Sequence, residues 1–349
     1  MNILITGNMG YVGPVVVRRL KDSYPDAFLI GLDTGYFGGC ITNGDRLPET
    51  RVDVQYFSDV RALPEAAIEG TDAIVHLAGI SNDPIGNLFE DITLDINHRA
   101  SIELARLAKA AGVKRFVFAS SCSMYGAADD SARTEESPLN PLTAYARSKV
   151  FTERDLKGIA GSDFQVTCLR FSTACGWSDR LRLDLVLNDF VACAVTSGEI
   201  TILSDGTPWR PLINVKDMAR AIEWAVTRDE KDGGHFLAIN VGSDEWNYQV
   251  KDLAEAVARV VPGVKVSINP NALPDKRSYR VNFARFRQMA PRYQPQVTLI
   301  ESIQELKAGL EQNRFKNADF RNSDFMRLKH LSRLKTLGLI DEQLRWVRN

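Results

Sequence analysis

The sequence contains no Cys-x-x-Cys pair, and its cysteines number 5, an odd count. Cys40, Cys122, Cys168, Cys175 and Cys193 are scattered, so a disulfide framework is not expected; the thiols read as reduced and partly buried. Histidine is scarce. His76, His98, His235 and His330 are dispersed, without the spacing of a metal site, and no metal is expected. No run approaches the roughly 20 apolar residues of a membrane-spanning helix. The opening MNILITG is apolar but lacks the basic start and long apolar stretch of a secretory signal. The expectation is a soluble, cytoplasmic protein with no membrane span. Neither charge sign dominates: 43 Lys and Arg face 44 Asp and Glu. Bulk attraction to nucleic acid is therefore not expected. Internal repeats and low-complexity segments are also missing.

What is present is an alternation. The 349 residues suit one large α/β domain or a large domain with a smaller one attached. MNILITG, AFLIGLD, DVQYF, AIVHLAG, RFVFASS and QVTCLRFSTACG read as strands. Residues 11–23, TLDINHRASIELARLAKAAG with Gly112 as its C-cap, and PLTAYARSKVFTERDLKG read as helices. Strands alternating with helices imply βαβ units and a parallel sheet wound on both faces. Several strands are almost wholly apolar, as burial on both faces requires. After about residue 176 the order changes. LDLVLNDFVACAVTSG and residues 216–228 read as helices; ITIL, RPLINV and FLAINV read as strands. NYQVKDLAEAVARVV reads as a helix capped at Asn247. The expected division is a dinucleotide-binding domain over 1–176, to which about 210–245 returns. A substrate lobe follows over most of 177–310, then a helical extension over 311–349. That extension is rich in Lys and Arg interleaved with Phe, Leu and Trp346, and packs an apolar helix face on the body or meets a partner.

The motif TGNMGYVG places Gly7, Gly10 and Gly13 between the first strand and the first helix. Gly7 permits a tight turn, Gly10 lets backbone approach a pyrophosphate, and Gly13 lets the helix pack closely. The helix N-terminus offers unpaired N–H groups and a partial positive charge to phosphate. Asp33 ends the second strand. It is either a solvated loop aspartate or an acceptor for adenosine ribose hydroxyls, which would favour NAD over a 2′-phosphorylated cofactor. Asp59 and Val60, after the third strand, stand where an adenine can lie.

Tyr145 and Lys149, in YARSK, are four apart on one helix face. A tyrosine hydroxyl has a pKa near 10, so about one in a thousand is ionised at neutral pH, and lowering it by roughly three units takes about 4 kcal/mol. A nearby ammonium supplies part of this and an oxidised nicotinamide more. Tyr145 can then take a proton from a sugar hydroxyl as hydride leaves the same carbon. Ser121, in SSCSMYG, lies at a strand end. It either polarises the reacting oxygen or satisfies backbone groups.

Together TGNMGYVG, Asp33, HLAG at 76–79, SSCSMYG, YARSK, RPLINVKDMARAI from Arg210 and DKRSYRVNF from Asp275 resemble the extended short-chain dehydrogenase/reductase family. The resemblance covers about residues 1–310, within the nucleotide-sugar epimerase and dehydratase branch. It implies a Rossmann-type doubly wound parallel α/β sheet with a smaller mixed α/β substrate-binding lobe, NAD as cofactor, a nucleotide-sugar substrate and a homodimer. It assigns Tyr145 as base, Lys149 as the group that lowers its pKa and holds the nicotinamide ribose, and Ser121 as third catalytic member. Cofactor contacts are implied for Gly7, Met9, Gly10, Tyr11, Gly13, Asp33, Asp59, Val60, Leu77, Ala78, Gly79, Ser120, Tyr145, Lys149 and Phe171. Substrate contacts are implied for Ser121, Ser123, Thr173, Asn188, Arg210 and Arg277, with surface salt bridges the alternative for the two arginines.

Departures narrow the reaction. The family's 4,6-dehydratases carry an acidic pair after the catalytic hydroxyl, where this chain has Cys122 and Ser123. Thr173 stands where an asparagine is common. The leading expectation is an NAD-dependent epimerase acting at C4 through a transient 4-keto sugar. A 4-ketoreductase of a deoxysugar nucleotide is the alternative, with a sugar-nucleotide decarboxylase and a non-catalytic NAD-binding regulator behind it. The extension beyond residue 312 matches nothing in the typical enzymes.

Overall fold

A strand with consecutive apolar residues can be covered on both faces, and the strand NILIT, with Ile3, Leu4 and Ile5 all buried, is built this way. In the computed structural model, which describes residues 1–42, 46–81, 85, 88–127, 131–268 and 277–347, it is an inner strand of the main sheet. In chain order come β1 (Asn2–Thr6), α1 (Gly13–Ser23), β2 (Phe28–Asp33), β3 (Val54–Phe57) and β4 (Ala73–His76). A long helical stretch follows as α2 (Glu90–Leu94), a π-helical turn over Asp95–Arg99, and α3 (Ala100–Ala110). Gly112, at φ +83°, turns the chain out of it. Then come β5 (Arg115–Ser121), α4 (Ala144–Ile159) and β6 (Gln165–Phe171). The next elements are β7 (Thr173–Cys175), α5 (Val186–Thr196), β8 (Glu199–Ile202), β9 (Trp209–Asn214), α6 (Val215–Thr227) and β10 (Phe236–Val241). Last are β11 (Asn247–Gln249), α7 (Val250–Val260), β12 (Lys265–Ile268), α8 (Ala284–Met289), α9 (Leu299–Gln312) and α10 (Arg327–Thr336).

The main sheet is parallel, with strand order β10-β6-β5-β4-β1-β2-β3. Alternation along each strand divides its side chains between two cores. Ile3 and Ile5 join Val15, Val16 and Leu20 of α1 and Ile222 and Val226 of α6. Leu4 joins Leu104, Ala105 and Ala108 of α3 and Leu156 of α4 on the other face. The chain leaves this sheet after Phe171, so QVTCLRFSTACG is two strands in different sheets. β7 pairs with β9, and β9 with β11, in a three-stranded sheet; β8 pairs with β12. A third core over α5, α7 and α9 fills this smaller lobe. RPLINV therefore belongs to the small sheet, and the chain re-enters the large one only with β10.

The expected cap at Asn247 is a correction. Asn247–Gln249 forms β11, and Gln249 caps α7 through a reciprocal capping box with Asp252. Asn247 instead holds Val281, accepting from its N–H at 2.8 Å and donating to its carbonyl at 3.0 Å.

A buried polar cluster ties α4 to the ends of β5, β6 and β10. Arg170 Nη2 donates to Glu153 Oε2 at 2.7 Å, and Ser120 Oγ donates to Glu153 Oε1 at 2.5 Å. Arg170 Nη1 donates to the Tyr125 hydroxyl at 3.1 Å, which lies 2.8 Å from Asn240 Oδ1. Removing one partner of a buried ion pair strands the other charge, at a cost of about 3–5 kcal/mol. Glu153→Leu is expected to lower the unfolding free energy by that amount, and the double variant with Arg170→Met to recover most of it. Denaturant unfolding of both variants checks this; a single variant as stable as the parent contradicts it.

Candidate active site

β1 lies between β2 and β4: from β1 the chain moves outward through β2 and β3, and after crossing back to β4 it moves outward the other way through β5 and β6. A crevice opens at such a switch point, beyond the C-terminal strand ends. The loop that fills its floor accepts no side chain at two positions. Gly7 has φ +76°, and a Cβ there would stand 2.6 Å from Ala78 N. A Cβ on Gly13 would stand 2.3 Å from Asn8 O, so α1 packs tightly on its own loop. The bare backbone between them borders a cavity of ≈ 860 Å³ that extends from the crevice into the small lobe.

Almost every residue expected at the site borders this one cavity. Gly7, Gly10, Tyr11, Gly13, Asp33, Asp59, Val60, Leu77, Ala78, Gly79, Ser120 and Phe171 form the half over the main sheet. Ser121, Ser123, Tyr145 and Lys149 stand at the middle. Thr173, Arg210 and Arg277 reach it from the small lobe. Asp275, the start of the DKRSYRVNF match, lies outside the described residues.

Two expectations need correction. Met9 does not border the cavity; it gives its backbone N–H to Asp33 Oδ2 at 3.0 Å. Asn188 is fully buried away from it. Its amide donates to the Tyr11 hydroxyl at 3.0 Å and to Arg182 O at 2.9 Å, and accepts from Gly176 N–H at 3.0 Å. With these partners Asn188 is a spacer between the glycine loop and the small lobe. Ser120 borders the cavity, but its hydroxyl proton goes to Glu153.

Asp33 is held ready. Its other oxygen accepts from Gly35 N–H at 2.8 Å. Burial raises its pKa, opposed by those two N–H groups. Each carboxylate oxygen takes one backbone N–H and retains capacity for a ligand hydroxyl.

The tyrosine helix starts where Thr143 Oγ1 accepts from Ala146 N–H. Tyr145, Lys149 and Glu153 then stack at intervals of four on one face. Lys149 is 6% exposed. Its Nζ donates to Ala119 O at 2.7 Å, sits 4.5 Å from the Phe118 ring centroid and lies 5.6 Å from that of Tyr145. Burial lowers its pKa to about 8, against the opposing pull of Glu153 and Cys168. Ser121 Oγ accepts from Ser123 N–H at 3.1 Å, so its own proton remains available. Ser123 Oγ has no hydrogen-bond partner among the described residues, although it is buried at the cavity wall. Cys122 points the other way: its thiol donates to Arg170 O at 3.1 Å.

His76 is structural. Ser101 Oγ donates to Asn97 O, so it accepts from His76 Nε2–H at 2.7 Å, and Nδ1 accepts from Thr6 Oγ1 at 2.6 Å. Burial and then the Lys149 charge lower its pKa to about 3, keeping the ring neutral. Residues the sequence reading missed include Arg182, paired with Asp184 at 2.9 Å, and Met326 and Arg327 of the C-terminal extension. No motif surrounds them; only the long-range fold brings them to the cavity.

The buried ammonium leaves a signature in stability. The folded pKa of Lys149 lies below its unfolded value, so between about pH 8 and 10.5 the unfolded chain binds more protons, and stability rises with pH. Relative to Lys149→Met, the cofactor-free protein is expected to gain up to ~3 kcal/mol across that window. Chemical unfolding of both proteins at several pH values checks this; parallel pH dependences contradict it.

The chain is similar to several known proteins. A protein of Sinorhizobium fredii, "Uncharacterized protein y4nL", is 30% identical over 288 residues, 78% of this chain and 77% of that protein. The UDP-glucose 4-epimerase of Streptomyces lividans is 25% identical over 276 residues, 74% of this chain and 80% of that protein. Among solved structures, the NAD dependent NDP-hexosamine 5,6-dehydratase TunA superposes with a TM-score of 0.76 at 23% identity, covering 91% of this chain and 99% of its own. The sequence model of the NAD dependent epimerase/dehydratase family matches residues 3–242. That span is more than half of the 349 residues, and the chain belongs to this family of NAD-dependent enzymes.

Proposed function

We propose that the enzyme inverts one hydroxyl-bearing carbon of a nucleoside-diphosphate sugar, at C4 of the ring, through a transient 4-keto sugar. The observation that carries this reading is the lack of an available acid or base after Ser121. Cys122 turns its thiol into the core, and Ser123 offers a neutral hydroxyl. Among the described residues, the carboxylates bordering the cavity are Asp33, Asp59, Asp184 and Asp189, and each is engaged by backbone N–H groups or an arginine. Elimination of water needs a further acid and base beside the sugar; oxidation and reduction at one carbon need only the tyrosine and a hydride acceptor.

The residues present fit the dinucleotide. The glycine loop supplies bare backbone where side chains would clash, and Asp33 supplies acceptors for ribose hydroxyls. Held by these residues, NAD would supply the acceptor for a hydride from the sugar carbon and the donor for its return. The chain does the rest. Tyr145 Oη takes the proton of the sugar hydroxyl, and the Lys149 ammonium steadies the phenolate. Ser121 Oγ donates to the same oxygen as it becomes a carbonyl. Arg210 and Arg277 hold the sugar's diphosphate, where guanidinium groups give paired charge-assisted bonds. The unpartnered Ser123 Oγ supports a contact to a sugar hydroxyl. After the ketone turns over in the cavity, Tyr145 returns the proton as the carbon is reduced from its other face.

The test is chromatographic separation and mass of the products across UDP-, dTDP-, GDP- and CDP-sugars, including 4-keto forms with NADH and NADPH, with the same panel run on Tyr145→Phe. The expected product is an isomer of unchanged mass, formed by the parent and slowed at least about a hundredfold in the variant, which still binds NAD. A product lighter by one water would replace this reading with dehydration. One heavier by two hydrogens, formed from a 4-keto sugar with reductant consumed, would replace it with ketoreduction.

A further inference from the structure

The C-terminal extension does more than cover an apolar face. Leu331, Leu334, Ile340 and Leu344 enter the core beneath α3 and β2. Around them, the extension is fastened to the loops that follow β2 and β3. Trp346 Nε1 donates to Thr34 O at 2.6 Å, His330 Nε2 lies 2.6 Å from Tyr36 O, and Arg61 Nη1 donates to Gln343 O at 2.9 Å. The Tyr36 hydroxyl bonds Leu344 O. Thr34 and Tyr36 follow directly on Asp33, so the extension forms a wall of the half of the cavity over the main sheet.

One side chain of that wall carries an unmet charge. Arg327 is 3% exposed and borders the cavity. Its guanidinium lies 4.2 Å over the Phe37 ring, and Nη2 donates to Arg180 O at 3.1 Å. Nη1 is buried and has no hydrogen-bond partner among the described residues. The neighbouring guanidinium, Arg182, is fully used: it pairs with Asp184 through Nε and Nη2 and donates to Ser81 Oγ through Nη1. Two cations therefore share one carboxylate at the cavity wall, and both charges act on the hydroxyl of Tyr11 in the glycine loop. Beside Arg327 stands the Cys40 thiol, which burial keeps neutral; a buried guanidinium short of counter-charge is costly, and a diphosphate between the glycine loop and Arg327 would supply the missing charge.

We propose that Arg327 binds a phosphate oxygen of the NAD diphosphate, which makes the C-terminal extension part of the cofactor site. The glycine loop holds the diphosphate by backbone N–H groups from one side, and Arg327 meets it from the other with a charge-assisted bond. Because Arg327 is the first residue of α10 and the extension is anchored at Thr34 and Tyr36, NAD release requires the extension to loosen or the arginine to let go. This suits a cofactor that is regenerated in every cycle and need not leave.

Calorimetric binding of adenosine, ADP and UDP to the full chain freed of nucleotide tests the assignment, with Arg327→Met and Arg327→Lys as variants. The expected result is a 10- to 100-fold loss of ADP affinity in Arg327→Met, partial recovery in Arg327→Lys, and unchanged adenosine and UDP affinities. Unchanged ADP affinity overturns the proposal. Equal losses for adenosine and ADP overturn it in favour of a purely structural arginine, and a loss confined to UDP reassigns the charge to the substrate diphosphate. Should Arg327→Met fail to fold, amide hydrogen exchange on the parent decides. ADP is expected to slow exchange in residues 327–336 at least tenfold more than adenosine does; equal protection by both contradicts the assignment.

Discussion

The constraint on which the site depends is an ammonium group kept under a tyrosine in a place that disfavours charge. Lys149 reaches the cavity from beneath, between the Phe118 and Tyr145 rings, with Ala119 O as its acceptor. Burial brings its pKa down to about 8, so it remains mostly charged at neutral pH while being poorly solvated. A charge in that condition interacts strongly with a phenolate forming beside it. Glu153, one turn further along α4, offsets part of the burial cost, and its own charge is held by Arg170 and the Ser120 hydroxyl. The chain of dependence runs from the Tyr145 and Lys149 pair to the cluster that joins α4 to the sheet.

The sheet order explains why these groups meet the cofactor loop. Strand β1 carries the glycines at one end and shares the crevice with β4 and β5, whose ends supply Ala78 and Ser121. Gly7 and Gly13 have no room for a Cβ, so the loop is held by steric contact with β4 and with itself before any ligand arrives. The small lobe then adds Thr173, Arg210 and Arg277 across the cavity. One enclosure thus has the glycine loop at one end, the Tyr145 and Lys149 pair in the middle and guanidinium groups at the other. On the proposed reading, the two ends take the diphosphates of two separate molecules, the dinucleotide and the sugar nucleotide.

Local features were legible in the sequence because their causes are local. Apolar strands such as NILIT, the glycine turn, the i, i+4 pair in YARSK and Asp33 at a strand end each carry their physical reason within a few residues. Features set by contacts far along the chain were not. QVTCLRFSTACG reads as one strand, but Ser172 hydrogen-bonds Val241 and the chain then leaves the sheet. Asn188 has a side chain suited to a ligand, yet the fold engages it with Tyr11, Gly176 and Arg182. Asn247 has the chemistry of a cap, but β11 forms there and Gln249 takes the role. Arg327 was one basic residue among many in the extension; its distinction, an unpartnered nitrogen at the cavity wall, exists only once the chain has folded back more than 280 positions to Phe37.

The central claim is that one sugar carbon is oxidised and then reduced by the same hydride. Conversion of a nucleoside-diphosphate sugar carrying deuterium at C4 measures this directly, with the label located in the product and solvent exchange followed in heavy water. The account predicts that deuterium remains at C4 of the epimer and that no solvent deuterium enters the ring. Deuterium transferred to another carbon, or solvent deuterium appearing at C5, would contradict it and point to elimination in place of epimerisation.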